Sequence, residues 1–175
     1  MAQKSVFLDR DGVINKMVYR DGKPTSPRSI EEFEFEDGVA PSLMRLSAAG
    51  FRLFVVTNQP ELARGLMATE SLSRMTALVM SLPAIEEVRI CPHDDGDSCS
   101  CRKPQPGMLI ELAHNHDLSL AESYIIGDTW KDSGAGSRAG CKSIILDRPY
   151  NKSAPADWRV PNLRSAVELI CAGQE

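Results

Sequence analysis

Ser5-Val6-Phe7-Leu8-Asp9-Arg10-Asp11-Gly12 is a short apolar run that ends in two carboxylates, one residue apart, and a glycine. A brief β-rich run bounded by turn formers reads as a strand buried on both faces, the kind that builds parallel sheets. Four further segments have this form: residues 51–56, ending at Thr57-Asn58; 88–90; 124–126, ending at Gly127-Asp128; and 143–146. Between them lie helical patterns. Residues 41–49 place Leu43, Leu46 and Ala49 on one face before Gly50. Residues 69–82 open on Thr69 as an N-cap and carry Leu72, Met75, Leu78 and Val79. Residues 106–116 repeat the pattern with Met108, Leu109, Leu112 and Ala113. Ser119 with Glu122 suggests one more capped turn, and 163–171 a last helix.

Strands alternating with helices predict an α/β fold, a single doubly wound, Rossmann-like parallel sheet with right-handed crossovers. One domain over residues 1–175 accommodates it, since no linker or repeat divides the chain. Residues 16–36 read as a loop or small flap, and 147–161, with three prolines, as a surface wrap. No insertion is long enough for a large cap domain.

Composition narrows the function. Of 175 residues, 42% are hydrophobic and 25% charged, an ordinary globular balance that excludes wholesale disorder. The net charge of −4 argues against a broad nucleic-acid surface. No apolar run reaches the roughly 18 residues that span a bilayer, so no membrane partner is expected. Met1-Ala2-Gln3-Lys4 leads straight into the first strand without the apolar stretch of a signal peptide, which makes the cytoplasm the expected location. No helical pattern carries a second apolar face, so a monomer is expected.

In an open parallel sheet, ligands gather beyond the carboxyl ends of the strands. Three of the five expected strands end in Asp9, in Thr57-Asn58 and in Asp128, so residues distant in sequence meet at one edge. Asp9 and Asp11 are too close to remain ionised and unpaired in a pocket. A divalent cation relieves the repulsion, and oxygen ligands suit magnesium. One carboxylate is then able to attack phosphorus while the other handles the proton. Each element has a plainer explanation by itself: turn capping for Asp-x-Asp, a helix N-cap for Asp128 or Asp132, a solvated charge for Lys103. Their joint occurrence, in order along the chain, favours the catalytic one.

Cys91-Pro92-His93 followed by Cys99-Ser100-Cys101 has the spacing C-x-H-x(5)-C-x-C. Three thiolates and an imidazole fill a tetrahedral zinc site, and a site with no open position is structural. A zinc-binding loop at 91–101 would aim Arg102 and Lys103, which follow at once, at the mouth of the site. Free buried thiols beside an unrelated histidine are the alternative. Cys141 and Cys171 stand apart and read as free thiols.

With these residues in view, the chain resembles the haloacid-dehalogenase superfamily of phosphatases, from about residue 5 to 147. The resemblance implies that Asp9 is a nucleophile forming an aspartyl-phosphate. It further implies that Asp11 is the acid and base, and that Thr57 and Lys103 hold the phosphoryl oxygens. Magnesium would be bound by Asp9, Asp128 and the Asp11 backbone carbonyl. The zinc loop resembles two families within it, the heptose 1,7-bisphosphate 7-phosphatases and the histidinol-phosphate phosphatases. The runs Asp9-Arg10-Asp11-Gly12-Val13-Ile14-Asn15, Val56-Thr57-Asn58-Gln59, Ala63-Arg64-Gly65 and Cys101-Arg102-Lys103-Pro104 are closer to the first. That similarity implies a phosphorylated sugar as the small-molecule partner. It also implies substrate contacts at Arg10, Met17, Val18, Tyr19, Arg20, Asn58, Gln59, Pro60 and Arg102. Pro60-Glu61-Leu62 and Thr129 depart from the heptose pattern, so histidinol phosphate or another small sugar phosphate stays open as the substrate. A zinc-stabilised binding module without catalysis is the alternative of another class.

Overall fold

The computed structural model describes residues 2–173 of the chain. Strand β1 (Ser5–Leu8) lies at the centre of a six-stranded, all-parallel sheet. The other members are β4 (Arg52–Asn58), β5 (Ile85–Cys91), β6 (Tyr124–Gly127), β7 (Lys142–Leu146) and β8 (Trp158–Val160). Their order is β5-β4-β1-β6-β7-β8, which reverses direction at β1. Helices α1 (Val39–Ala48), α2 (Thr69–Met80), α3 (Gly107–His116), α4 (Trp130–Ala139) and α5 (Leu163–Ala172) cover it.

Side-chain alternation divides the core between the two faces. Val6, Leu8, Leu53, Val55, Ile126 and Ile144 point to one side, where Leu43 and Leu46 of α1 and Val167 and Ile170 of α5 pack. Phe7, Phe54, Val56 and Ile125 point to the other, against Met108, Leu109 and Leu112 of α3 and Ala135 of α4. The result is the α/β, doubly wound sheet that the alternation of patterns predicts.

Three elements differ from the sequence reading. Helix α4 lacks an apolar stripe, because it packs through small residues instead. A Cβ on Gly136 would lie 2.4 Å from Ile125 Cγ2, so its approach to the sheet admits no side chain there. Strand β8 adds a sixth strand within the stretch expected to wrap the surface. The expected flap holds an antiparallel hairpin, β2 (Val18–Arg20) and β3 (Lys23–Thr25). Asp21 and Gly22 both turn with positive φ, 51° and 73°, as a two-residue hairpin requires. No helix among the described residues is long and apolar enough to cross a membrane.

Candidate active site

The reversal of strand order at β1 opens a crevice beyond its carboxyl end. Asp9 follows β1 there, Thr57 and Asn58 end β4, and Asp128 follows β6. The Asp9 N–H donates to the Ile126 carbonyl at 2.9 Å, which ties the two strand ends together. Beyond them lies a cleft of about 170 Å3 whose lining includes Asp9, Asp11, Asn58, Lys103 and Asp128.

Lys103 is 2% exposed and its ammonium has three partners. It lies 2.8 Å from Asp9 Oδ1 and donates to Asp132 Oδ1 at 2.6 Å and to the Val56 carbonyl at 2.8 Å. Burial works against its charge, but Asp132 and Asp9 outweigh that and hold its pKa above the ordinary lysine value. The Asp132 Oδ2 accepts from the Thr129 N–H and hydroxyl, which caps α4.

The carboxylates fall into two environments. Burial pushes the Asp9 carboxyl well above the usual range; Asp132, Asp128 and Asp11 add to this and Lys103 opposes it. Burial likewise raises Asp128 to about 7, with Asp132 adding and a hydrogen bond from the Tyr150 hydroxyl opposing. Asp11 differs. Burial would raise it, but Arg10 and hydrogen bonds led by Asn15 prevail and hold it low. Arg10 Nη2 lies 2.8 Å from Asp11 Oδ1, and Asn15 and Gln59 donate to the same carboxylate at 3.0 and 2.7 Å.

Asp9, Asp128 and Asp132 bring carboxylate oxygens within 4.8 Å of one another. Both oxygens of Asp132 are engaged by Lys103 and Thr129, which leaves Asp9 and Asp128 as the pair short of positive charge. Oxygen donors with that deficit fit a hard divalent cation. Gly12 makes room for the pair: with φ at +81°, a Cβ on it would lie 2.3 Å from Asp128 Oδ2.

A second cluster sits at the end of β5. Cys91, His93, Cys99 and Cys101 hold their ligand atoms within 4.8 Å of one another, with His93 offering Nδ1. Five of their six separations run from 3.1 to 3.6 Å, near the edge of a tetrahedron of sulfur and nitrogen about a single metal. All five cysteines are free. Arg102, next to the last of these donors, gives Nε to Asp95 at 2.8 Å and Nη1 to the His93 carbonyl at 3.0 Å, and lines the cleft.

Of the residues expected to touch substrate, Met17, Asn58, Pro60 and Arg102 line the cleft. Arg10 does not; it is 1% exposed with its guanidinium on Asp11. Gln59 is fully buried between Asp11 and Thr57. Val18, Tyr19 and Arg20 belong to the hairpin, where Arg20 is held by Thr25, Ser26 and Glu32. The cleft also takes in Ser26, Glu61, Thr129 and Lys131, and Asp132 and Tyr150 support it from behind. The sequence marks Asp132 only as a candidate helix N-cap; it is instead the third residue of α4 behind the N-cap Thr129, and the Thr129-x-x-Asp132 spacing is the signal by which it could be found. Tyr150 lies in an irregular segment with no such signal.

A family model described as HAD-hyrolase-like matches residues 100–161. A D-glycero-alpha-D-manno-heptose-1,7-bisphosphate 7-phosphatase of Campylobacter jejuni is 34% identical, over 97% of either chain. The D-glycero-beta-D-manno-heptose-1,7-bisphosphate 7-phosphatase of Escherichia coli K12 is 32% identical, over 95% of this chain and 93% of its own. Among solved structures, the D,D-heptose 1,7-bisphosphate phosphatase of Bordetella bronchiseptica, complexed with magnesium and phosphate, aligns with a TM-score of 0.83. It is 28% identical, with 97% of this chain and 99% of that one covered. The chain belongs to the haloacid-dehalogenase-like family of phosphatases.

Proposed function

We propose that this phosphatase removes the C7 phosphate of D-glycero-D-manno-heptose 1,7-bisphosphate through an aspartyl-phosphate on Asp9, a step in making activated heptose for cell-surface glycans. The observation that carries the proposal is Asp9 in the cleft with the Lys103 ammonium 2.8 Å away, in a chain similar over nearly its whole length to enzymes named for that substrate.

Lys103 and the Arg10 N–H both address Asp9 Oδ1, which leaves Oδ2 to attack phosphorus. The leaving alkoxide takes a proton from Asp11, and Asp11 later takes one from the water that hydrolyses the acyl phosphate. Arg10 and Asn15 hold Asp11 ionised at rest. The anionic phosphoryl group entering beside it works in the opposite direction, as like charge raises a carboxyl pKa. Thr57 is buried and is not among the residues that line the cleft; Gln59 donates to its Oγ1 at 2.9 Å, which leaves the hydroxyl proton to be given to a phosphoryl oxygen that enters beside Asp9. Asp9, Asp128 and the Asp11 carbonyl would hold magnesium, which would supply neutralisation of the transferred group. Cys91, His93, Cys99 and Cys101 would hold zinc, which would fix the loop that presents Arg102 and Lys103.

The relatives are named for both anomers, and anomer choice falls to the cleft residues Pro60, Glu61 and Thr129. A second reading, hydrolysis of histidinol phosphate, is favoured by the Glu61 carboxylate beside the cleft, which suits an amine. Phosphate release from the heptose bisphosphate, histidinol phosphate and general sugar phosphates tests both. Equal rates on all three would end the heptose proposal. Asp9→Asn should lower turnover roughly a thousandfold or more with the fold retained.

A further inference from the structure

Glu61 is buried at 8% exposure, lines the same cleft as Asp9 and Lys103, and has one oxygen, Oε2, with no hydrogen-bond partner among the described residues. A buried carboxylate oxygen without a donor is costly and rare in native proteins. It persists where a ligand brings the donor, and the cleft is where a ligand enters.

The turn that carries Glu61 cannot readily swing it out to water. The Gln59 N–H donates to the Cys91 carbonyl at 2.7 Å, and the Leu66 N–H to the Glu61 carbonyl at 2.8 Å. Arg64 pairs in two-point fashion with Asp94, Nε to Oδ2 at 2.7 Å and Nη2 to Oδ1 at 2.5 Å. The cation of the turn is thereby spent on another carboxylate. Elsewhere the cleft lining sets the cations Lys103, Arg102 and Lys131 beside the carboxylates Asp9, Asp11 and Asp128 of the expected magnesium and phosphoryl end. A phosphate is drawn to the three cations and repelled by Glu61, so Glu61 meets the part of the substrate that carries donors.

We infer that Glu61 is a specificity residue that accepts a hydrogen bond from a hydroxyl of the phosphorylated sugar, and so sets which polyol phosphate is presented to Asp9. The inference rests on the sugar-phosphate reading above.

The test compares the wild type with Glu61→Leu and Glu61→Gln on heptose bisphosphate, on p-nitrophenyl phosphate, which has no hydroxyl, and on histidinol phosphate. Glu61→Leu should lower kcat/KM on the sugar roughly tenfold or more, mainly through KM. On p-nitrophenyl phosphate the change should stay within about twofold. Glu61→Gln, which keeps an acceptor oxygen in place, should recover most of the loss. Equal melting temperatures will exclude a folding defect. Equal losses on sugar and aryl phosphate overturn the inference in favour of a structural role. No loss on the sugar overturns it outright, and a larger loss on histidinol phosphate replaces the hydroxyl by an ammonium. A wild type that cleaves the aryl ester but not the sugar removes the sugar-phosphate reading and this inference with it. One that cleaves none of the three removes the phosphatase reading itself.

Discussion

Asn58 and Lys103 exchange two hydrogen bonds: Asn58 Nδ2 donates to the Lys103 carbonyl at 2.9 Å, and the Lys103 N–H donates to Asn58 Oδ1 at 3.0 Å. The end of β4 thus holds the backbone of a lysine whose ammonium is fixed by Asp9, Asp132 and Val56. Positioning of this kind is most of what phosphoryl transfer asks of a protein.

Lys103→Met should destabilise the fold by about 3–5 kcal/mol, because it strands Asp132 without its cation. Urea unfolding measures this. Adding Asp132→Asn should recover part of the loss, whereas phosphatase activity should stay abolished in both variants.

The raised Asp128 pKa has a consequence for stability. With magnesium omitted, Asp128 keeps its proton in the folded protein up to about pH 7 but releases it near pH 4 when unfolded. The folded state binds more protons across that window, so this group's contribution to stability falls as pH rises and levels off above about 7. The difference in unfolding free energy between wild type and Asp128→Asn should therefore shift steadily in favour of the variant from about pH 4 to 7. Saturating magnesium should reverse that shift.

Gly12→Ala should cost about 1–3 kcal/mol and weaken magnesium binding, since alanine at a φ of +81° is strained and its Cβ meets Asp128. Thermal melting with and without magnesium separates the two effects. A variant that melts and binds like wild type would show that the loop relaxes freely.

Stripping zinc with a chelator should speed amide exchange in residues 91–102 and in the Gln59–Gly65 turn, which is bonded to the loop at Cys91 and Asp94. Exchange in β1 and β4 should not change. Uniform protection after zinc loss would show that the loop holds its shape without metal.

The parallel sheet was legible because β1, β4, β6 and β7 are buried on both faces and write that into runs such as Leu53-Phe54-Val55-Val56. The strand-end residues Asp9, Thr57 and Asp128 followed from the same logic. Helix α4 was not legible, since Ser133, Gly134 and Gly136 trade an apolar stripe for close approach, a choice made by the facing Ile125 and Pro104. The β2–β3 hairpin did have a local signal in Asp21-Gly22, masked by the polar residues around it. Which expected contacts reach the cleft was beyond sequence altogether. Arg10 is next to Asp9 in the chain but faces Asp11, because a buried carboxylate needs a cation more than the open cleft does.

The bonds from Gln59 to Cys91 and from Arg64 to Asp94 fasten both ends of a short segment and leave Pro60 to Ala63 between them. Those four positions form a cassette. Evolution, or an engineer, can rewrite them, and with Pro60 and Glu61 the wall of the cleft, while the anchors, Lys103 and Asp9 stay where they are.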